Sequence, residues 1–359
     1  MKIEETGNCE PTTGNQYGDF MKKTIFIMVI LIGLVCFMGL LSPISAGKKP
    51  QYLIKFATVA PEGSAWVKQI RKVDKELRKK SGGRLGLGIY AGGIAGDELD
   101  VLKKMRIGQL QCAAFSGVGF GKILPMVRVL DLPYLFRNDQ EVDRVHQELF
   151  NFFAEEFQKK GFRLLAWTEV GNVNIFSKKA VRNLDDLAGL KIWAWAGDPI
   201  AKETFVTMGV NPIPLPVTDV NTALNTGMID TVYAPPLGAL ALQWHTRLSF
   251  MMGLPLVHST GAILISARYF KKLPPDLATM LQQTMKSAME DLTKILRQQR
   301  EEAIQVIRDS GITVIPIPSE EARKPFYSTH EKVARKLTGR IYPEELLLKV
   351  YQILNRPGS

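Results

Sequence analysis

The sequence predicts an α/β protein of two lobes, and three observations carry that expectation. Short strand-like runs alternate with helix-like segments along nearly the whole chain. Residues 47–359 supply enough chain for two lobes, each with its own core. The stretch from Leu184 to Pro235 packs turn, strand, helix, strand, helix and strand into little room. Each of its short strands ends in a loop, and such loop mouths are where α/β proteins hold small ligands.

The N-terminal region reads as an export signal. Met21-Lys-Lys is followed by an apolar run from Thr24 to Leu41 and then Ser42-Pro-Ile-Ser-Ala46. A basic start, an apolar centre and a small-residue exit describe a leader cleaved near Ala46. The competing reading is a retained membrane anchor, since the run approaches spanning length. Pro43 and the Ser-Ala exit favour cleavage and a periplasmic product. Residues 1–20 are polar and unlike a targeting signal, which leaves Met1 or Met21 as the start. Cys36 follows Val35 and precedes apolar residues, which does not fit a lipidation site.

Beyond Ala46 the single cysteine is Cys112, inside the apolar run 110–115, where it reads as a small buried hydrophobe. No zinc spacing occurs, and His146, His245, His258 and His330 are scattered. Neither a metal nor a cofactor is expected. The net charge of +11 would suit a nucleic-acid partner. However, Lys and Arg alternate with Glu and Asp along helices, as in Arg71-Lys-Val-Asp-Lys-Glu, which marks solvated faces.

In chain order, Tyr52–Thr58 is a first strand. Ser64 caps a helix over 66–80, with Trp66, Ile70, Val73 and Leu77 on one face. Leu85–Tyr90 is a second strand. Ala91-Gly-Gly-Ile-Ala-Gly-Asp-Glu98 then forms a Gly-rich loop into a helix. Its glycine spacing is not a dinucleotide fingerprint, and it reads either as a ligand cradle or as a plain connector. Leu99–Ile107 is a helix, a strand ends at Phe115, and 130–136 is an apolar loop. Glu141–Lys160 is a helix closed by Gly161. Phe162–Trp167 is a strand, and Thr168–Ser177 crosses between the lobes. Further on, 239–248 is a short helix or turn, Ile263–Ser266 a strand and Pro274–Asp309 one long amphipathic helix. Val314–Ile317 is a last strand, and two helices close the chain.

The expected partition is 1–46 for the extension and leader. Lobe I takes 47–170 with 259–298 returning to it, and lobe II takes 171–258 with part of 299–359. No Gly-x-Ser-x-Gly elbow, Walker loop or His-Glu-x-x-His helix occurs. Asp185 and Asp186 are adjacent and suit a cap or turn, and Asp97-Glu98 suits a helix first turn.

Seven segments, in order, resemble one family: Phe56-Ala-Thr-Val-Ala-Pro-Glu-Gly-Ser64, Asp131-Leu-Pro-Tyr-Leu-Phe136, Gly161-Phe-Arg-Leu-Leu-Ala-Trp167, Leu184-Asp-Asp-Leu-Ala-Gly-Leu-Lys-Ile192, Met208-Gly-Val-Asn-Pro-Ile-Pro-Leu-Pro216, Thr222-Ala-Leu-Asn-Thr-Gly-Met-Ile-Asp230 and Lys272-Leu-Pro274. Together they are similar to the DctP-type solute-binding proteins of TRAP (tripartite ATP-independent periplasmic) transporters, over nearly all of the chain after the leader. The resemblance implies a periplasmic binding protein of type II-like fold, with two lobes closing on a cleft and a long helix spanning both. It also implies delivery of solute to integral membrane permease subunits driven by an ion gradient.

The resemblance further implies a ligand carboxylate held by an Arg just after Leu-Lys-Ile. Here that residue is Trp193. A second family Arg falls near Val173, and where Asn often precedes Pro this chain has Ala234 before Pro235, with Tyr233 ahead of it. A carboxylate left unpaired in a dry cleft costs several kcal/mol. The departures therefore point to an apolar or aromatic ligand, met by Trp193, Trp195 and Tyr233. The expected ligand-binding set is Trp193, Trp195, Tyr233, Val173, Ala234, Pro235, Glu62 and Gly93. Trp193 and Trp195 sit two apart on a strand and so share a face. An exported enzyme, disfavoured by the missing nucleophile–base pair, and a sensory or partner-binding protein are the alternatives.

Overall fold

The computed structural model describes residues 49–356, together with Met21 and Met28. The cleavage site expected near Ala46, and Cys36, lie outside the described residues.

β1 (Tyr52–Ala57) pairs in parallel with β2 (Leu85–Tyr90) and, through Phe56 and Ala57, with β3 (Cys112–Ser116). α1 (Ala65–Lys80) joins the first two strands. Ser64 Oγ accepts from the Val67 amide at its start, and Val67, Ile70, Val73 and Leu77 form its buried face. Trp66 is instead half-buried and donates its indole N–H to the Glu169 carbonyl at 3.0 Å. α2 (Glu98–Arg106), the short α3 (Gly117–Ile123) and a 3₁₀ turn (Pro125–Asp131) follow, then α4 (Asp139–Lys159), capped by Asn138.

Two long strands organise the rest. β4 (Phe162–Ser177) is continuous for 16 residues, so the expected strand and crossing segment form one element. β9 (Val257–Ser266) runs antiparallel beside it and also pairs with β3. Its N-terminal half, Val257–Thr260, was not read as strand from the sequence. The pairing slips between Glu169 and Gly171, where Gly171 takes φ +114, a bulge that bends the ladder and that glycine alone tolerates well.

On one side of this bulge, β4 and β9 complete the lobe I sheet in the order β2-β1-β3-β9-β4. On the other side, β4 pairs with β7 (Thr231–Ala234) and β8 (Phe250–Met252), and β8 pairs with β10 (Thr313–Ile315). β5 (Trp193–Trp195) and β6 (Ile213–Leu215) form a parallel pair linked to β7 through the Ile192–Thr231 bridge. α5 (Pro199–Thr207) and α6 (Val220–Thr226) connect these strands. Gly227 ends α6 in the left-handed region. α7 (Pro236–Ala241) and a 3₁₀ turn at Trp244–Arg247 occupy the expected helix-or-turn segment.

After the short α8 (Ala267–Phe270) comes α9 (Pro275–Asp309), 35 residues and so about 50 Å long. Its first part buries Leu277, Leu281, Met285 and Leu292 in the lobe I core, and Ile307 packs in the lobe II core. Arg297, between those parts, grips Glu169 of β4 and Asp143 of α4. α10 (Glu320–Leu337) places Phe326 in the lobe II core and Val333 and Leu337 in the lobe I core. α11 (Glu344–Ile353) packs wholly on lobe I. The C-terminal segment thus returns to lobe I after Phe326. Among the described residues, no helix is long and apolar enough to cross a membrane.

Candidate functional site

A cavity of ≈ 190 Å³ lies between the lobes. The loop from β1 to α1 contributes Thr58, Ala60 and Pro61 to its lobe I wall, α1 contributes Trp66, and the 3₁₀ turn contributes Arg128 and Asp131. The bulged crossing of β4 and β9 forms the back, with Thr168, Glu169, Val173 and Ser259. The lobe II wall carries Trp193, Trp195, Asp198, Tyr233 and Trp244.

Of the residues singled out from the sequence, Trp193, Trp195, Tyr233, Val173, Ala234 and Pro235 line this cavity, and Glu62 and Gly93 do not. Glu62 is a correction. It is exposed and spends both carboxylate oxygens on Arg71, at 2.7 and 2.6 Å. That pair holds its carboxylate below the usual range. Gly93 sits at the rim, where a Cβ would come within 3.1 Å of Thr218 Cγ2 of lobe II. Its left-handed φ of +75 and this close approach explain the glycine without a ligand.

The aromatic wall is built by stacking. The Trp193 ring lies on Tyr233, with centroids 4.9 Å apart, and meets Trp244 edge-on at 5.3 Å. Trp193 and Trp195 share the strand face, 6.0 Å apart. The Trp193 indole donates to the Leu215 carbonyl at 2.9 Å, and Tyr233 Oη accepts from the Trp195 amide at 3.2 Å. The Trp195 indole crosses the cleft and donates to Asp97 Oδ2 at 2.8 Å. Trp167 and Phe176 belong to the cores on either side.

The polar part of the cavity was not foreseen. Arg128, only 4% exposed, has Nε 2.9 Å from Asp131 Oδ2 and Nη2 2.9 Å from Asp198 Oδ1. The Arg128–Asp131 contact is an ion pair without a hydrogen bond's alignment. Burial opposes the guanidinium's charge, and the two aspartates more than restore it. Asp131 is pushed up to about 6 by burial, against the pull of Arg128 and the Thr260 amide. Asp198 also caps α5, accepting from the Ile200 and Ala201 amides. Glu98, buried beside the cavity, accepts from Ser116 N, Ser116 Oγ and Gly119 N, and burial raises it to about 7. One sequence signal existed: a lone Arg128 within apolar 124–130 must find buried partners. Asp198-Pro199 is likewise a helix start with proline at N1.

The one hydroxyl–carboxylate pair of the described lining residues that these bonds show, Ser116 Oγ on Glu98, is held together with the Ser116 and Gly119 amides. No group of three or more His, Cys, Asp and Glu among the described residues is arranged for a metal ion. The cavity can enclose a small molecule against aromatic faces, and it offers few free polar groups.

Comparison with known proteins places this architecture. The family model "Bacterial extracellular solute-binding protein, family 7" (DctP) matches residues 56–339. The C4-dicarboxylate-binding periplasmic protein DctP of Rhodobacter capsulatus is 23% identical over 300 residues, covering 82% of this chain and 89% of that protein. The 2,3-diketo-L-gulonate-binding periplasmic protein YiaO of Escherichia coli is 24% identical over 247 residues, covering 68% of this chain and 75% of that one. Among solved structures, the sugar acid binding protein DctPAm of Advenella mimigardefordensis, in complex with galactonate, has a TM-score of 0.81 at 22% identity, covering 86% of this chain and 98% of that one. A TRAP periplasmic solute-binding protein of Citrobacter koseri with bound D-glucuronate has a TM-score of 0.76 at 24% identity, covering 84% and 99%. The fold is therefore that of a two-lobed, type II-like periplasmic binding protein with α9 spanning both lobes. The chain is a solute-binding transport protein rather than an enzyme, and it belongs to family 7 of the bacterial extracellular solute-binding proteins, the DctP family.

Proposed function

We propose that this protein is the periplasmic receptor of a TRAP-type permease, and that it captures a small solute with an apolar or aromatic body and hands it to the membrane subunits. The observation that carries this reading is the interlobe cavity walled by Trp193, Trp195, Tyr233 and Trp244. The leader, cleaved near Ala46, delivers the chain to the periplasm, where the DctP-family relatives act. Lobe I is 47–170 with 259–298. Lobe II is 171–258 with the first part of 299–359. The lobes move about the Glu169–Gly171 bulge, with α9 bending to follow.

A second reading has support of its own. The structural relatives named above hold galactonate and D-glucuronate, and among the described residues lining this cavity there is one guanidinium, Arg128. On that reading the solute is an organic acid.

A solute that touches both walls only in the closed form shifts the population towards closure. Small-angle scattering of protein stripped of solute and then saturated with it is expected to show a smaller radius of gyration when loaded. The solute is the molecule released from host-purified protein and identified by mass spectrometry. Identical scattering profiles would leave a rigid pocket and remove the receptor mechanism.

A further inference from the structure

We propose that Asp198 supplies from within the protein the carboxylate that a solute would otherwise bring to Arg128, so that the cleft selects an uncharged solute carrying a hydrogen-bond acceptor. This rests on the receptor reading above and decides between its two ligand classes.

The first observation is the charge count of the wall. Among the described residues lining the cavity, Arg128 is the one basic side chain, against Glu98, Asp131, Glu169 and Asp198. Glu169 is answered by Arg297 of α9. Arg128 is shared between Asp131 and Asp198, each at 2.9 Å and each buried. An incoming carboxylate would thus add a negative charge to a buried cluster whose cation is already matched twice over. It would have to displace one of the aspartates or remain unpaired, and an unpaired buried charge is strongly disfavoured.

The second observation is that Asp198 is not free to move aside. Its Oδ1 also accepts from the amides of Ile200 and Ala201, 2.9 and 3.2 Å away, as the cap of α5. Swinging out to make room would uncap the helix as well as break the ion pair. The pair also spans the cleft, since Arg128 stands on the lobe I turn and Asp198 on the lobe II loop after β5. It therefore makes the bridge between lobes that a solute acid would make, and it makes it without one.

The third observation says what the solute should carry instead. Four indoles line the cavity. Trp66 donates to the Glu169 carbonyl, Trp193 to the Leu215 carbonyl and Trp195 to Asp97. Trp244 is 2% exposed, and its Nε1 has no hydrogen-bond partner. An indole N–H can only donate, so a solute that satisfies it must present an acceptor such as a carbonyl or ether oxygen. Thr168 Oγ1, buried at the back of the cavity without a partner, can meet either a donor or an acceptor.

The test uses carboxylic acids paired with their primary amides: D-glucuronate with D-glucuronamide, and phenylacetate with phenylacetamide, plus phenethylammonium as a cation. Thermal shift and calorimetry would be run on the wild-type chain, on Asp198→Asn and on Trp244→Phe. Asparagine keeps the α5 cap and removes the charge, so this variant is expected to fold. The wild type is expected to bind neither acid nor the cation, and Asp198→Asn to gain at least tenfold in affinity for an acid. The solute released from host-purified wild type is expected to be uncharged, and Trp244→Phe to weaken it about tenfold. A released solute that is a carboxylic acid, an acid bound more tightly than its amide by the wild type, a bound cation, or an Asp198→Asn variant that gains no acid would each overturn the proposal. Those results leave the receptor reading standing. A wild type that retains no solute and contracts with none would sink the receptor reading instead, and Asp198→Asn would still decide the charge preference.

Discussion

Trp195→Phe deletes the indole N–H that reaches Asp97 across the cleft while leaving an aromatic ring on the wall. The contact is 2.8 Å and joins a lobe II strand to the residue that opens α2 in lobe I. Asp97 is 6% exposed, and its Oδ1 has no hydrogen-bond partner, so losing Trp195 leaves this carboxylate poorly compensated. Burial already raises its pKa, against the opposing bond from Trp195. A hydrogen bond to a charged group contributes about 1.5–3 kcal/mol. This one exists only when the lobes are together, so the whole loss falls on the closed form. That corresponds to roughly a ten- to hundredfold shift of the open–closed ratio, and to a similar loss of solute affinity. Calorimetry with the released solute reads the affinity, and a distance probe across the cleft reads the ratio. An affinity within twofold of wild type, with unchanged closure, would show that the contact does not stabilise the closed form. Pairing the variant with Asp97→Asn in a double-mutant cycle isolates the coupling from any change in wall shape.

Trp193→Arg places a guanidinium where a 2%-exposed indole stacks on Tyr233 and meets Trp244 edge-on. The lost packing is expected to lower stability by about 3–5 kcal/mol, and a denaturant midpoint equal to wild type would contradict the stacked geometry. His330 gives a pH prediction. Its Nδ1 lies 2.8 Å from the Pro133 carbonyl and its Nε2 2.8 Å from Tyr351 Oη, so both nitrogens are satisfied in a neutral tautomer. Burial, assisted by Arg356, lowers its pKa to about 4 against the opposing bond to Pro133. The unfolded chain therefore takes up a proton below about pH 6.5 that the folded chain refuses until about 4. Stability from this group is present above pH 6.5 and lost as pH falls towards 4. The stability gap between wild type and His330→Gln should narrow by about 3 kcal/mol between pH 7 and pH 4, and a constant gap in urea titrations would refute it.

The elements with strong local signals were legible. The long helix was read as Pro274–Asp309 and spans Pro275–Asp309, because its apolar stripe and its Pro start need no tertiary context. The series from Trp193 to Ala234 follows the order read from its turns. The N-terminal half of β9 was missed because Val257-His-Ser-Thr-Gly261 lacks an apolar pattern. Its strand character comes from pairing with β4, and that pairing is non-local. Glu62 was expected in the cleft, yet Ala60 and Pro61 line the cavity while Glu62 is exposed and paired with Arg71. Arg128 and Asp198 were missed for the opposite reason. They stand 70 positions apart on different lobes, and nothing short of the folded chain brings them within 2.9 Å.

The loop from Trp195 to Asp198 then takes on a meaning that neither end has alone. Trp195 ties lobe II to Asp97, and Asp198 ties it to Arg128. Both residues also line the cavity. The two cross-cleft contacts and the surface a solute touches therefore belong to one short segment, held at one end by β5 and at the other by the start of α5. A solute that presses on Trp195 or Asp198 acts on the bonds that keep the lobes together, without any intervening chain of contacts. On the receptor reading proposed above, closure and recognition would be coupled by sharing residues, the shortest form such coupling can take.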